Sequence, residues 1–174
     1  VLTVLKEYGY TGKSDKVYLQ SFDVDELKRI DTELMPALGM DLKLVQLMAE
    51  TDWNETMVYD AKGKATPYDY DWMFKPGAMK TIAGYADGIG PWKPMIVTEP
   101  GTPGKPVFTA MVKEAHAAGL KVHPYTFRQD EGQIPPYAKD FTDLLNIFLY
   151  QADVDGVFSD FPDKAVAVIK AHGK

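Results

Sequence analysis

The chain has 174 residues, which is enough for one domain with its own hydrophobic core. Its composition, 45% hydrophobic and 25% charged, is typical of globular proteins, and its net charge of −6 argues against a nucleic-acid-binding surface, which is normally basic. No apolar segment approaches the ~20 residues that a membrane-spanning helix needs. The absence of cysteine excludes disulfides and zinc–thiolate sites.

The N-terminal end of the sequence predicts a short helix and then a strand. The first residue is Val1 rather than Met, so we expect the natural start, with any targeting signal, to be missing. Residues 1–8 place apolar side chains on one helical face, and Gly9 is suited to end that helix. Residues 16–22 form a short apolar run with β-branched and aromatic side chains, which predicts a buried strand.

A second strand follows after one intervening helix. Asp23 with Glu26 three residues later is an N-cap signature. The helix that it starts is expected to reach about residue 34 and to end before Pro36. The apolar run at 42–48 then predicts another buried strand.

The rest of the chain repeats this alternation, with long connections after strands and short links after helices. The remaining predicted elements are an aromatic-rich connection at 50–75, a helix at 76–86, a strand at 87–90, a loop at 91–105, a helix at 107–118, a strand at 120–127, a helix at 140–152, a strand at 156–159 and a helix at 162–171.

Five strands that alternate with helices predict an α/β fold with a parallel sheet and right-handed crossovers. Two architectures fit this pattern. An open doubly wound sheet of about five strands would be complete in this length. A (β/α)8 barrel takes ~250 residues, so the chain would contain only part of one. The leading helix without a preceding strand and the long loops after strands favour the partial barrel.

Common catalytic motifs are missing from the sequence, which contains neither a G-x-G-x-x-G run, a P-loop nor a G-x-S-x-G elbow. His123, directly before Pro124, is expected to be a hydrogen-bonded structural histidine rather than a base. Asp69 and Asp71 could bind a cation, but aspartates in loops are usually solvated. We find no set of oxygen ligands that the sequence would bring to one point. We therefore predict no catalytic residue and no metal ligand in this segment.

Several segments carry recognisable motifs in a fixed order. The sequence Val-Tyr-Leu-Gln-Ser-Phe occupies 17–22, Tyr-Asp-Tyr-Asp-Trp-Met-Phe-Lys-Pro-Gly 68–77, Ala-Asp-Gly-Ile-Gly-Pro 86–91, Val-His-Pro-Tyr-Thr-Phe-Arg 122–128 and Gly-Val-Phe-Ser-Asp-Phe-Pro-Asp 156–163. Each motif alone is weak, but their order and spacing resemble the glycerophosphodiester phosphodiesterase family, in particular its periplasmic branch. The resemblance covers essentially the whole chain.

This resemblance implies that residues 1–174 are the C-terminal part of a single TIM-type (β/α)8 barrel of the phospholipase-C-like phosphodiesterase kind, with about five of its strands. The implied reaction hydrolyses glycerophosphodiesters, which are deacylated phospholipids, to sn-glycerol 3-phosphate and an alcohol in the periplasm. The family uses a divalent cation, expected to be Ca²⁺. Its His-Arg-Gly, Glu-x-Asp, His-Asp and Glu-Ile-Lys motifs do not occur here, so the acid–base groups and metal ligands are expected upstream of Val1.

The resemblance further implies that this segment forms the substrate-facing wall. Phe22 and Tyr125 are predicted to pack on the glycerol and alcohol groups, and Tyr125 stands where the family usually has Trp. Gln20 lies near the end of the same predicted strand as Phe22. Lys75 and Arg128 are predicted to bind the phosphate by charge-assisted hydrogen bonds, although both could be ordinary surface cations.

A partial barrel would leave sheet edges unpaired at 17–22 and 156–159. We therefore expect the segment to pair with the missing N-terminal half of its barrel or with another copy of itself. Two other interpretations of function stay open. The chain could belong to a barrel enzyme that acts on another phosphorylated small molecule, or it could be a non-catalytic open-sheet binding module.

Overall fold

Helices and strands alternate along the chain, which a computed structural model describes for residues 1–102 and 104–173. The strands are β1 Tyr18–Ser21, β2 Lys43–Leu47, β3 Met57–Tyr59, β4 Ala65–Pro67, β5 Gly88–Gly90, β6 Val97–Thr102, β7 Lys105–Phe108 and β8 Lys121–Val122. The α-helices are α1 Leu2–Glu7, α2 Val24–Arg29, α3 Met35–Leu38, α4 Ala78–Ile82, α5 Met111–Ala117, α6 Phe141–Asn146 and α7 Pro162–Ala171. Short 3₁₀ helices lie at Thr51–Trp53, Asp71–Phe74 and Lys93–Met95. None of the helices in the described part is long and apolar enough to cross a membrane.

A parallel sheet of four strands runs in the order β1-β2-β5-β8. Strands β1 and β2 pair in parallel, from Tyr18 opposite Lys43 to Ser21 opposite Gln46. The chain divides into two compact units, residues 1–89 with 118–120 and residues 90–117 with 121–174, so β5 contributes residues to both. The predicted α/β class with a parallel sheet is confirmed at this level.

The predicted fifth strand at 156–159 is wrong, because this segment forms only an isolated parallel bridge between Ser159 and Phe127. The strand predicted at 120–127 is likewise limited to β8 and to isolated bridges at Tyr125 and Phe127. Pro124 lies in the middle of that predicted strand. Proline has no N–H to donate, so a continuous ladder cannot pass through it.

In the first unit, α2 packs on β1 and β2, and Leu27, Leu44 and Val45 are buried. Strand β2 is buried along its middle, as predicted. Strand β1 is not buried, since Tyr18 is exposed and Leu19 is half-buried at the end of the sheet.

The predicted helix end before Pro36 is wrong. The helix that Asp23 caps continues through Pro36 to α3. The Glu26 N–H donates to Asp23 Oδ1 at 2.9 Å, which confirms the predicted N-cap. A π-helical turn, Ile30–Leu34, joins α2 to α3, and the Met35 N–H donates to the Ile30 carbonyl. Pro36 then lies in the first turn of α3, where its missing N–H is tolerated.

The second unit contains the β6–β7 hairpin, β8 and helices α5 to α7. Helix α5 packs on β8, and α6 packs on α7. Phe127 and Phe148 are buried with an edge-to-face contact, their ring centroids 5.0 Å apart. Asp140 caps α6 as predicted, because its Oδ1 accepts the Asp143 N–H at 2.8 Å.

Two connections that were predicted as loops contain antiparallel hairpins. Strands β3 and β4 pair within the predicted connection at 50–75. Strands β6 and β7 pair across the predicted loop at 91–105, of which position 103 lies outside the described residues. Val107 and Phe108 belong to β7, so the helix predicted at 107–118 begins only at Met111. These strands are three to six residues long and lack clear period-two alternation, which explains why the sequence pattern missed them.

Candidate functional site

In the first unit, the three predicted substrate residues lie at or after β1 and after a 3₁₀ helix. Gln20 is exposed on β1, and Phe22 is half-buried directly after that strand. Lys75 is exposed and follows the 3₁₀ helix Asp71–Phe74. Within the described part of the chain, the side chains of Gln20 and Lys75 form no hydrogen bond or ion pair.

Gln20 also lines a groove of about 560 Å³ beside β1. The other lining residues are mostly apolar: Val1, Leu2, Thr3, Leu19, Ser21, Glu26, Ile30, Leu34, Ala37 and Leu38. Gln20 is therefore one of four polar residues, with Thr3, Ser21 and Glu26, on an otherwise apolar groove surface.

The backbone of Phe22 is held by a buried polar network. Its carbonyl oxygen accepts hydrogen bonds from Gln46 Nε2 and from the Tyr70 hydroxyl, both at 3.1 Å. The Gln46 amide also donates to the carbonyls of Ser21 and Leu47, and its Oε1 accepts from the Tyr85 hydroxyl at 3.1 Å. Gln46 is fully buried, with 0% of its surface exposed.

The loop between β4 and α4 is tied back to the 3₁₀ helix at Thr51–Trp53. Thr51 Oγ1 accepts the Tyr70 N–H at 2.9 Å and donates to Asp71 Oδ1 at 2.8 Å. Asp69 Oδ1 accepts the Asp71 N–H at 2.8 Å. Asp69 and Asp71 therefore help to shape this loop. The loop places the Tyr70 hydroxyl within hydrogen-bonding distance of the Phe22 carbonyl.

In the second unit, Tyr125 lies in a segment that is bound to the residues after β5. Trp92 and Tyr125 form a parallel bridge. The Tyr125 N–H donates to the Pro91 carbonyl at 3.0 Å, and the Tyr125 carbonyl accepts the Lys93 N–H at 3.1 Å. Lys93 Nζ donates to the Thr126 carbonyl and lies 5.3 Å from the centroid of the Phe127 ring. Only 9% of Lys93 is exposed.

Arg128 follows this segment and lies close to two carboxylates. Its Nε lies 2.9 Å from Asp130 Oδ2 and 3.3 Å from Asp160 Oδ2. All three side chains are about half exposed. A phosphate that binds Arg128 would therefore have to compete with two carboxylates for the guanidinium group.

A polar cavity of about 400 Å³ lies beside the Trp92–Lys93 segment. Its lining residues are Trp92, Lys93, Pro94, Gly132, Gln133, Ile134, Pro135, Pro136 and Tyr137. Two of these lining residues, Trp92 and Lys93, also pair with the backbone of Tyr125.

Burial shifts the pKa values of Tyr70, Tyr85 and His123. It raises the pKa of Tyr70, and it raises the pKa of Tyr85 well above the usual range of a phenol, so both hydroxyls act as neutral donors. Burial also lowers the pKa of His123, whose half-buried ring makes an edge-to-face contact with Phe158 at 6.2 Å. A neutral, packed imidazole agrees with the structural role predicted for His123.

The described residues contain no group of three or more His, Asp and Glu side chains that could hold a metal ion. A Ca²⁺ site needs six to eight oxygen ligands, so the described part of this chain does not fit the ion by itself.

Sequence reasoning missed Gln46, Tyr70 and Lys93. Gln46 gave a usable signal, since it is the single polar side chain in the apolar run Leu44–Met48, and a polar residue in a buried strand requires hydrogen-bond partners. Lys93 gave no signal, because a lysine in a Gly- and Pro-rich loop is ordinarily exposed.

Comparison with known proteins identifies similar chains in bacteria. The family model described as the glycerophosphoryl diester phosphodiesterase family matches residues 1–164. The chain is 51% identical over 170 residues to a glycerophosphodiester phosphodiesterase of Haemophilus influenzae, covering 97% of this chain and 46% of that protein. It is 42% identical over 166 residues to one of Treponema pallidum, covering 95% of this chain and 46% of that protein. The chain thus spans less than half of the length of either relative.

A solved crystal structure from Silicibacter pomeroyi DSS-3, assigned by its name to the glycerophosphoryl diester phosphodiesterases, has a related fold. Its TM-score is 0.55 at 18% sequence identity, and the match covers 99% of this chain and 43% of that chain. At this identity the likeness concerns the fold alone.

Proposed function

Because the chain belongs to the glycerophosphoryl diester phosphodiesterase family, we propose that it is the substrate-facing part of an enzyme that hydrolyses glycerophosphodiesters to sn-glycerol 3-phosphate and an alcohol. The observation that carries this proposal is the 51% identity to the Haemophilus influenzae phosphodiesterase over 97% of the chain. Such a phosphoric diester hydrolase would act in glycerol and lipid metabolism on deacylated phospholipids.

The proposed reaction adds water across one phosphoester bond. The water oxygen forms a new bond to phosphorus, the bond from phosphorus to the alcohol oxygen breaks, and that oxygen takes up a proton. Phe22 and Tyr125 would pack on the carbon atoms of the substrate and exclude water. Gln20, Lys75 and Arg128 would bind its polar groups, the two cations acting on the phosphate.

The acid–base chemistry and the divalent cation, Ca²⁺, are assigned in this proposal to residues outside the chain. A cation would polarise the phosphoryl oxygens when bound. The described part of the chain contains no group of side chains that would hold this cation.

We further propose that the four-stranded parallel sheet is the C-terminal part of a TIM-type (β/α)8 barrel. Support comes from the end position of β1 in the sheet and from the apolar groove beside it. The missing N-terminal half of the barrel, or another copy of the chain, would cover this edge. A periplasmic location completes the proposal and rests on the resemblance of the motifs at 68–77 and 86–91.

A hybrid protein tests the proposed activity. In this hybrid, residues 1–174 replace the matching part of the Haemophilus influenzae relative, which supplies the rest of its own chain. We expect the hybrid to release glycerol 3-phosphate from glycerophosphocholine in the presence of Ca²⁺, with the unmodified relative as the positive control. A hybrid that folds, as judged by circular dichroism, but releases no glycerol 3-phosphate would contradict the proposal.

A further inference from the structure

Two buried side chains stand out within the described part of the chain, because they carry an amide or a charge. Gln46 is fully buried, and Lys93 is 9% exposed. Burying an amide or an ammonium group costs free energy unless hydrogen bonds compensate for the lost water. A helix or strand does not need either group to form, so their burial requires a separate explanation.

Each of these side chains donates to the backbone at a predicted substrate aromatic residue. Gln46 Nε2 donates to the carbonyl of Phe22 itself, at 3.1 Å. Lys93 Nζ donates to the carbonyl of Thr126, the residue after Tyr125. In each compact unit, a buried polar side chain thus binds a backbone carbonyl at or directly after an aromatic residue, from 24 and 33 positions away in the sequence.

Both aromatic residues lie beyond the continuous strands that precede them. Phe22 follows the last residue of β1, and Tyr125 follows β8 with only an isolated bridge to Trp92. Beyond a strand, the orientation of a side chain depends on whatever else binds its backbone. At Phe22 this is Gln46 together with Tyr70. At Tyr125 it is the Pro91 carbonyl and the Lys93 N–H, and the Lys93 side chain binds the carbonyl of the next residue, Thr126.

We propose that Gln46 and Lys93 are positioning residues, which hold Phe22 and Tyr125 in the orientation that contacts the substrate. This inference rests on the proposed function, because it takes both aromatic side chains as substrate contacts. Displacement of a binding group by about 1 Å can lower a rate about a hundredfold, so fixing these two backbones would affect turnover without any contact between Gln46 or Lys93 and the substrate.

The kinetic test uses the hybrid protein with single substitutions. We expect Gln46→Met and Lys93→Met to lower kcat/KM for glycerophosphocholine about 10-fold to 100-fold, and Lys93→Arg, which keeps a charged donor, to recover part of this loss. Gln151→Met and Lys80→Met replace exposed residues of the same types and should leave kcat/KM within about twofold of the unsubstituted hybrid.

A spectroscopic test separates positioning from a general loss of stability. The hybrid carries 4-fluorophenylalanine at position 22 or 3-fluorotyrosine at position 125. Gln46→Met should shift or broaden the ¹⁹F resonance at position 22 and leave that at position 125 unchanged, and Lys93→Met should do the reverse. If Gln46→Met does not fold, Tyr70→Phe removes the other donor to the same carbonyl and is measured instead.

The possible outcomes distinguish this inference from the proposed function. An inactive unsubstituted hybrid would defeat the proposed function, and the ¹⁹F measurement would still decide whether Gln46 and Lys93 position the aromatic residues. Unchanged ¹⁹F resonances in folded variants would overturn the positioning role. The same conclusion would follow if kcat/KM fell only in proportion to the unfolded fraction.

Discussion

Asp155 and Val122 bind each other through two hydrogen bonds in opposite directions. The Asp155 N–H donates to the Val122 carbonyl at 3.0 Å, and Asp155 Oδ2 accepts the Val122 N–H at 3.0 Å. The same carboxylate also accepts from Lys121 Nζ at 2.7 Å and lies 2.9 Å from His116 Nε2. One aspartate therefore connects β8 and α5 to the segment that follows α6.

The first unit contains the same pairing between Asp87 and Leu44. The Asp87 N–H donates to the Leu44 carbonyl at 2.8 Å, and Asp87 Oδ2 accepts the Leu44 N–H at 2.9 Å. Lys13 Nζ donates to Asp87 Oδ1 at 2.7 Å, and this bond raises the pKa of Lys13. In both units an aspartate thus binds the N–H and the carbonyl of one strand residue, Leu44 in β2 and Val122 in β8.

We expect Asp155→Asn to destabilise the fold by about 1 kcal/mol at pH 7, after allowance for solvent screening of these partly exposed charges. Burial alone would raise the pKa of Asp155, but the hydrogen bonds from Lys121, His116 and Val122 outweigh burial and lower it. A lowered folded-state pKa adds stability that is present above the unfolded-state pKa and lost as pH falls through the folded-state pKa. The difference between wild type and variant should therefore shrink below the ordinary aspartate value of 3.8.

Urea denaturation of residues 1–174 at pH 7 and at pH 3, at one protein concentration, measures this difference. Glu131→Gln removes an exposed carboxylate of the same unit and serves as the control, with an expected change of less than about 0.5 kcal/mol. An Asp155→Asn effect that is equally large at both pH values would show that the charge of Asp155 has no part in it.

We predict that Gly156→Ala destabilises the protein by about 1–3 kcal/mol, as overpacking usually does. A Cβ atom at position 156 would lie 3.0 Å from Cδ2 of His123, whose ring is itself packed against Phe158. Gly12→Ala is a matched control, because its Cβ would meet nothing closer than Ser14 Oγ at 3.8 Å. Thermal unfolding of both variants gives the comparison, and equal midpoints would disprove the clash.

Residues 1–174 alone are expected to hydrolyse no glycerophosphodiester, because the acid–base groups and metal ligands are assigned to residues outside the chain. Incubation of the purified chain with glycerophosphocholine and Ca²⁺, followed by an enzymatic assay for glycerol 3-phosphate, checks this. The hybrid protein is the positive control. Turnover by the chain alone that approached that of the hybrid would refute the expectation.

Tyr125→Ala in the hybrid should raise KM or lower kcat by about 10-fold, with little loss of stability, if Tyr125 lines the pocket. A residue of the core would instead cost several kcal/mol on truncation and leave the kinetics of the folded fraction unchanged. The kinetic constants and the urea midpoint of the same preparation distinguish the two. Tyr59→Ala, at a largely exposed position of β3, is the control.

The chain by itself is expected to associate, since β1 is the end strand of the sheet and lies beside an apolar groove. Size-exclusion chromatography with light scattering should give a mass above that of one chain. In the hybrid, the rest of the relative is expected to cover this edge, so the hybrid should associate less than the chain alone. A monomer with cooperative unfolding would speak for a complete open sheet instead.

Local signals in the sequence predicted the local parts of the fold. The apolar run at 42–48 contains β2, the bounds predicted for α7 agree with Pro162–Ala171, and Asp23 and Asp140 cap the helices that follow them. Each of these features depends on residues within a few positions of one another, so hydrophobic periodicity and capping chemistry are sufficient to find them.

Elements that depend on a distant partner escaped prediction. The hairpins β3–β4 and β6–β7 are short, and the segment at 156–159, predicted as a strand, forms only one isolated bridge. Whether a short apolar run becomes a strand is decided by the hydrogen bonds of its neighbour, and Pro124 withholds one of them.

The sequence alone also determined the family, since the order and spacing of its motifs are a property of the chain. Only the tertiary structure decided that Gln46 and Lys93 are buried and which carbonyls they bind. Those bonds join residues 24 and 33 positions apart, and a sequence specifies that a donor exists but not where the fold will bring its acceptor.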